Sequence, residues 1–195
     1  MRTTLTSVAV LLLFACGAAH AGLIVNGGFE TGNFYGWTVT GPNVLNTNYG
    51  ISTNTPEDGV YCAWFSGGAA GLTYLSQSFA TVPGQLYDVS VWVAYTQRTA
   101  TTNELQFWWG GIEETDGHAP SSAPWTYLSN QLTATSSSTT ITLGFQSLGS
   151  TGQPSGWFAI DDVDVEAAVP EPQAMVLCGL GLGLLGWLRR RAMSS

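Results

Sequence analysis

The sequence predicts an all-β fold, a β-sandwich of about eight antiparallel strands. Several short segments carry apolar residues at every second position, which is the periodicity of strands with one buried face. Clusters of Gly, Pro, Asn and Ser separate these segments, as expected of turns between strands. Residues 22–168 show no 3.6-residue periodicity of the kind that predicts an amphipathic helix. These patterns favour two packed sheets over a helical or mixed fold.

The clearest predicted strand covers residues 86–96. Its odd-numbered residues from Tyr87 to Tyr95 are apolar, whereas its even-numbered residues include Asp88 and Ser90. The other predicted strands cover residues 23–25, 60–65, 72–79, 104–109, 125–132, 139–145 and 157–165. Between them, residues 40–59 and 110–124 are predicted to form long polar loops.

The first 21 residues have the organisation of a secretory signal peptide. Arg2 supplies a positive charge, residues 8–14 are apolar, and Ala19-His20-Ala21 is a small-residue cleavage site. The mature domain is then predicted to cover residues 22–168, which is long enough for one hydrophobic core. A lipoprotein signal that ends at Cys16 is the alternative interpretation of this segment.

The predicted domain is strongly acidic. It contains no lysine and a single arginine, Arg98, against twelve aspartates and glutamates, which gives a net charge of −11. Nucleic acid is excluded as a partner, because binding it requires a cationic surface. The charge is compatible with divalent cations or neutral sugars, and equally with a purely solubilising role in an exported protein.

Cys62 is the only cysteine in the predicted domain, since Cys16 lies in the signal peptide and Cys178 in the C-terminal segment. An intramolecular disulfide is therefore impossible in the mature chain. Because Cys62 stands among large apolar residues, we predict a buried and unreactive thiol. The domain's single histidine, His118, falls in a predicted polar loop and offers that thiol no catalytic partner.

The C-terminal residues 169–195 combine three features that a globular core does not need. They are the motif Val169-Pro170-Glu171-Pro172, an apolar segment at 174–188 that is expected to be helical, and the cluster Arg189, Arg190 and Arg191. A helix of this length spans about 22 Å, which is less than the roughly 30 Å of a bilayer's hydrocarbon core. The arginines are expected to stay on the cytoplasmic side of the membrane.

This tail resembles the PEP-CTERM sorting signal of Gram-negative bacteria. Pro170-Glu171-Pro172 matches the family's motif, and the apolar span and the arginine cluster follow it in the family's order. The resemblance implies a precursor held transiently in the inner membrane, cleavage by an exosortase-type membrane protease near the motif, and a final place at the cell surface or outside the cell. It also implies an exopolysaccharide-producing, biofilm-forming source. An ordinary single-pass anchor is the alternative.

Four motifs of the domain resemble the galactose-binding-like jelly roll of many carbohydrate-binding modules. They are Asn26-Gly27-Gly28-Phe29-Glu30, Gly36-Trp37, the turn and strand that begin at Val82, and Ile160-Asp161-Asp162-Val163. The resemblance covers nearly the whole of residues 23–166 and implies a jelly-roll sandwich. Because this fold carries sugar binders and purely structural modules alike, it does not determine the ligand.

The same resemblance implies one structural Ca²⁺ where the first and last strands meet. Glu30 and Asp161 would supply carboxylates, with Asp162 as a substitute ligand, and backbone carbonyls near Asn26 and Gly28 would help to complete the shell. This mixture of oxygen ligands is the one that Ca²⁺ prefers. The alternative is that Asp161 caps a turn and Asp162 is solvated.

A sugar-binding surface is the second candidate site, because sugars combine apolar C–H faces with many hydroxyl groups. Strand parity places Trp92 and Trp108 away from the core, together with Gln106 and Thr142. If their strands are neighbours, the two tryptophans would line one sheet face. Alternatively, the loops at 40–59 and 110–124 cover both rings. The remaining candidates, Trp37 and Trp157, are expected to anchor the core or a turn.

The sequence contains little that predicts catalysis. Glu113, Glu114 and Asp116 cluster in the second predicted loop, but without the frame that a pair of catalytic carboxylates requires. There is neither a nucleophile elbow nor a set of zinc ligands at the usual spacing. We therefore expect no enzyme, but an exported cell-surface or matrix protein that associates with exopolysaccharide through a carbohydrate-binding-like domain. The alternative is a structural surface protein without a specific ligand, and the exposure of Trp92 and Trp108 distinguishes the two.

Overall fold

The computed structural model of the protein describes residues 22–42, 48–66, 71–97, 100–118, 123–149 and 156–168. The predicted signal peptide at 1–21 and the sorting tail at 169–195 lie outside these ranges, and so does the predicted helix at 174–188. The ten described strands are β1 (Thr38–Thr40), β2 (Tyr49–Ser52), β3 (Cys62–Phe65), β4 (Thr73–Ala80), β5 (Leu86–Gln97), β6 (Ala100–Trp109), β7 (Ile112–His118), β8 (Ala123–Thr133), β9 (Ser138–Gly149) and β10 (Gly156–Ala167).

The strands form two five-stranded sheets that pack face to face. Sheet A has the order β1-β4-β9-β6-β7, and sheet B has the order β2-β3-β10-β5-β8. Neighbouring strands in both sheets are antiparallel. The strand orders also show that strands that follow each other in sequence often lie in opposite sheets, as they do in a jelly roll. The predicted all-β sandwich is confirmed.

The structure departs from the predicted strands at four places. β1 was not among the predicted strands. β2 lies within the segment 40–59 and β7 within the segment 110–124, both of which were predicted to be loops. Both are outermost strands with a single neighbour, so they bury too little apolar surface to show a clear period of two. The segment 23–25 is not a strand, because the chain enters a turn at Asn26, where φ is +56°.

The core lies between the sheets and consists of the inward residues of the alternating strands. The odd-numbered residues of β5 from Tyr87 to Tyr95 are buried, as their period predicts. At the centre, the ring of Phe145 on β9 stacks on Phe65 of β3 with centroids 4.4 Å apart and an interplanar angle of 13°. Phe158 of β10 lies 5.6 Å from Phe145 on another side. The described core belongs entirely to residues 23–167, so the domain holds a core of its own.

Two tryptophans join the core to the turns around it. Trp37 is buried, and its indole Nε1 donates a hydrogen bond to the carbonyl of Asn26 at 3.0 Å. Trp109 is also buried, and its Nε1 donates to the carbonyl of Thr133 at 3.1 Å. Both rings thus bury a large apolar surface without leaving a donor unpaired. The described residues include no helix of the length and apolarity that a membrane crossing requires.

Truncation of the central ring should test this packing. We expect Phe145→Ala to lower the free energy of unfolding by about 3–5 kcal/mol, because it leaves a cavity between Phe65 and Phe158. Urea unfolding of residues 22–168 measures the change. Tyr35→Ala is the control, since Tyr35 is 67% exposed and its truncation should cost little. Equal losses in the two variants would contradict the assignment of the core.

Candidate functional site

The outer face of sheet A carries an aromatic pair with polar neighbours. Trp108 on β6 lies beside Thr142 on β9, and Gln106 lies beside Gly144. Gly144 in turn pairs with Tyr74 on β4. We call the set Tyr74, Glu104, Gln106, Trp108, Thr142 and Gly144 the Trp108 surface.

Gly144 allows the two aromatic rings to close over the sheet. The ring centroids of Tyr74 and Trp108 are 5.6 Å apart. A Cβ atom on Gly144 would lie 2.8 Å from Cζ3 of Trp108 and 3.2 Å from Cε1 of Tyr74, so no other residue fits without moving a ring. The glycine thus serves as a floor on which both rings rest. Trp108 remains half-buried, so part of its indole faces solvent.

Polar side chains border the rings along the same face. The Gln106 side-chain amide donates a hydrogen bond to a carboxylate oxygen of Glu104. The exposed Glu113 of β7 stands opposite Trp108, and Thr142 lies on its other side. A shallow surface that combines aromatic rings with amide, hydroxyl and carboxylate groups can bind a ligand that has both C–H faces and hydroxyls.

Trp92 does not belong to this surface, and the predicted joint platform is wrong. Its strand β5 lies in sheet B, whereas Trp108 lies in sheet A, so the two indoles are on opposite outer faces of the sandwich. Trp92 packs instead beside Tyr127, with ring centroids 5.2 Å apart. Strand parity correctly placed each ring outside the core, but it carries no information about which strands are neighbours.

Trp92 and Trp108 are both half-buried in the structure. Neither ring is therefore fully covered, as both would be if the segments 40–59 and 110–124 closed over them. Glu113 and Glu114 lie on strand β7 rather than in a loop, and Glu113 is exposed. Asp116 is on the same strand.

Asp161 lies at the junction of β10 and the loop before β3. It is 1% exposed. Its Oδ2 accepts hydrogen bonds from the backbone N–H of Glu57 at 2.9 Å and of Asp58 at 3.5 Å, and its Oδ1 accepts from the N–H of Asp162 at 3.0 Å. Burial raises the pKa of Asp161 to about 6, although these hydrogen bonds oppose the rise. The carboxylate holds the loop against the outer face of sheet B.

Glu30 holds the end of the same loop from the other side. Its Oε1 accepts hydrogen bonds from the backbone N–H groups of Val60 and Tyr61, both at 2.9 Å. The carboxylate lies so close to Gly59 that a Cβ atom there would be 2.4 Å from Oε1. Glu30 and Asp161 therefore fasten one loop at two points.

Asp162 completes an acidic cluster beside the N-terminal turn. Its φ is +45°, within a register shift of β10 between Asp161 and Asp164. A Cβ atom on Gly28 would lie 2.9 Å from Oδ1 of Asp162, and 3.8 Å both from Oδ1 of Asp161 and from Cγ of Glu30. Atoms of all three predicted calcium ligands thus lie near Gly28, although the Glu30 atom is a methylene carbon and not a carboxylate oxygen.

The acidic groups of this cluster repel one another. Burial raises the pKa of Asp162, and repulsion from Asp58 and Glu30 raises it further. However, no group of three or more His, Cys, Asp or Glu side chains in the described ranges is arranged to hold a metal ion. A cation would therefore need backbone carbonyls or water molecules as additional ligands.

Several residues of these sites were not predicted from the sequence. Glu57 and Asp58 reach the cluster from a loop about a hundred positions before Asp161. Tyr74 joins the Trp108 surface through the pairing of β4 with β9, which only the fold reveals. Trp157 was expected to be a core or turn anchor but is half-buried and lines a cavity at the surface. The predicted burial of Cys62 is confirmed, and burial raises the pKa of its thiol to about 11.

The raised pKa of Asp161 predicts how stability depends on pH. The folded domain holds this proton more tightly than the unfolded chain does, so stability should fall as pH rises from the ordinary value of 3.8 to about 6 and level off above it. In EDTA, we therefore expect residues 22–168 to melt at a higher temperature at pH 5 than at pH 7. In Asp161→Asn most of this difference should disappear, and an unchanged difference would refute the assignment.

Comparisons with known proteins agree with this architecture and locate the sorting signal. Residues 168–192 match the PEP-CTERM protein-sorting motif, which confirms the predicted tail. No curated protein matches the chain. Among solved structures, TmCBM61 in complex with β-1,4-galactotriose is 21% identical, with a TM-score of 0.53 over 76% of this chain and 99% of that chain.

Two further structures show the same fold at lower identity. The CBM22-1 xylan-binding domain of Paenibacillus barcinonensis Xyn10C is 16% identical, with a TM-score of 0.51 over 78% of this chain and 99% of that chain. The enzymatically active domain of bacteriophage CBA120 tailspike protein 4 is 15% identical, with a TM-score of 0.54 over 75% of this chain and 21% of that chain. The protein is thus a jelly-roll domain joined to a PEP-CTERM sorting motif, which indicates an exported surface protein made as a membrane-anchored precursor.

Proposed function

We propose that this exported protein binds a neutral extracellular polysaccharide through the Trp108 surface. The observation that carries the proposal is the closure of Tyr74 and Trp108 over Gly144, with polar side chains along both sides. A sugar ring would stack its C–H face on the half-buried indole, and Gln106, Thr142 and Glu113 would meet its hydroxyl groups. Because the face is open, it suits a site along a chain rather than an enclosed end.

The charge of the domain supports a neutral ligand. Glu113 stands opposite Trp108, Glu104 lies four positions before Trp108 on the same strand, and the net charge of residues 22–168 is −11. A polysaccharide rich in carboxylate or sulfate groups would be repelled at this surface. The fold is shared with the galactotriose-bound and xylan-binding modules, and this likeness is consistent with sugar binding without naming the sugar.

The sorting motif supports a place for this activity. An exosortase-type membrane protease would recognise Pro170-Glu171-Pro172, cleave near it, and so release the domain from the inner membrane to the cell surface or the exopolysaccharide matrix. A structural surface protein without a specific ligand is the second candidate. It is favoured by the packing of Trp108 against Gly144, which gives the ring a structural role as well.

A structural Ca²⁺ is part of the proposal. Glu30 and Asp161, with Asp162 as a substitute ligand, would supply carboxylates near Gly28, and backbone carbonyls of the N-terminal turn would help to complete the shell. The ion would neutralise acids that repel one another and would join the turn, β10 and the loop before β3. Its role would be to stabilise the fold, since the cluster lies on sheet B and the Trp108 surface on sheet A.

The first test is binding of residues 22–168 to a panel of neutral glycans that includes β-1,4-galactan, xylan and β-1,4-galactotriose. We expect Trp108→Ala to weaken binding to the recognised glycan by about tenfold or more, because the stacking surface is lost. Trp92→Ala is the matched control, since it truncates a half-buried tryptophan on the other sheet. Unchanged affinity together with unchanged stoichiometry in a folded Trp108→Ala variant would contradict the assignment of the surface.

The second test concerns calcium. We expect CaCl₂ to raise the melting temperature of residues 22–168 at pH 7 relative to EDTA, since a ligand that binds only the folded state stabilises it. Glu30→Gln keeps a side-chain oxygen that can accept from Val60 but removes the charge, so it should retain the fold and lose most of the calcium effect. An equal calcium effect in this variant would exclude Glu30 as a ligand.

A further inference from the structure

The cavity that Trp157 lines is on the outer face of sheet B, across the sandwich from the Trp108 surface. It has a volume of about 270 Å³ and is lined by Ser52, Asn54, Cys62, Trp64 and Trp157. These residues come from β2, β3 and β10, apart from Asn54, which follows β2. None of them belongs to the Trp108 surface, so the two places can be altered independently.

Strand pairing fixes the two indoles of this cavity. Trp64 stands opposite Gly50 on β2 and opposite Ala159 on β10. A Cβ atom on Gly50 would lie 2.8 Å from Nε1 of Trp64, so the glycine allows the indole to lie across its strand. Trp157 is two positions from Ala159 on β10 and therefore points to the same face. Both tryptophans are half-buried, which leaves part of each ring accessible from the cavity.

The other lining groups are polar but uncharged at neutral pH. The Ser52 hydroxyl oxygen accepts a hydrogen bond from the backbone N–H of Asn54 at 3.0 Å, which leaves the hydroxyl hydrogen able to donate. Asn54 is exposed and offers both a donor and an acceptor. The Cys62 thiol stays protonated, because burial raises its pKa to about 11. The lining contains no carboxylate that would select a cation.

We propose that this cavity is a second sugar-binding site, which takes one residue of a neutral polysaccharide between Trp64 and Trp157. Two indoles with a hydroxyl and a carboxamide match a sugar ring, which has an apolar face and hydroxyls at its edge. The volume lies just below the range of about 300–1,000 Å³ that holds drug-sized ligands, so it suits one sugar residue rather than a chain. With sites on opposite faces, one domain joins two polysaccharide chains.

The test compares single and double variants of residues 22–168 on the glycan that binds best in the panel. The measurements are the affinity and stoichiometry by calorimetry and the turbidity of a mixture with the soluble polysaccharide, since a bivalent protein crosslinks chains. We expect two sites in the wild type and one in either Trp108→Ala or Trp157→Ala. Binding should fall below detection in the double variant, and turbidity should appear with the wild type alone.

The outcomes separate this inference from the proposed function. If Trp157→Ala keeps the wild-type stoichiometry and turbidity, the second site is refuted while the Trp108 surface stands. If Trp157→Ala abolishes binding and Trp108→Ala does not affect it, the cavity is supported and the Trp108 surface is refuted. A wild type that binds no glycan refutes both.

A second variant covers a folding defect in Trp157→Ala. Asn54→Phe changes an exposed position and places a ring at the cavity, so it should block the site without disturbing the core. Its melting temperature should match the wild type, and its stoichiometry should fall from two to one. A folded Asn54→Phe variant that keeps both sites would overturn the proposal.

Discussion

The register shift in β10 is the constraint on which the rest of the structure depends. Phe158 and Ile160 are buried on one side of the shift, and Val163 and Val165 are buried on the other. Even-numbered and odd-numbered residues cannot face the same core in a regular strand, because successive side chains point to opposite faces. The irregularity between Asp161 and Asp164 resolves the conflict by changing the phase of the strand.

The same irregularity positions the acidic cluster. It puts Asp162 at a positive φ, directly after the buried Asp161. The N-terminal turn then fits against the altered strand, where the N–H of Val163 donates to the carbonyl of Gly27 at 3.2 Å. A Cβ atom on Gly27 would lie 2.0 Å from the carbonyl oxygen of Val163, so only glycine allows this approach. One local feature thus serves both the core and the candidate metal site.

The sequence predicts local features of this fold well and its pairings poorly. Alternation placed Trp92 and Trp108 on solvent-facing sides, because the period of a strand is a local property. Their assignment to opposite sheets depends on which strands become neighbours, and the four motifs of the chain do not contain that information. β2 and β7 were missed for a related reason, since an outermost strand is stabilised by hydrogen bonds to its neighbour more than by its own buried side chains. The parity change between Ile160 and Val163 is visible in the sequence and could have predicted the irregularity in β10.

The end of β10 has a mechanical consequence. The N–H of Ala168 donates to the carbonyl of Leu86 at 2.9 Å, and the carbonyl of Ala168 accepts from the Gln85 side chain at 3.1 Å. Residue 168 therefore lies at the end of a central strand, which pairs with β5 up to Ala167 and with β3 at residues 158–160. A pulling force applied there would act along the strand and load its lateral hydrogen bonds together in shear, instead of opening them one after another. A domain attached at this point would distribute a pulling force over many hydrogen bonds of sheet B at once. The outer faces of both sheets would then lie parallel to the direction of the force.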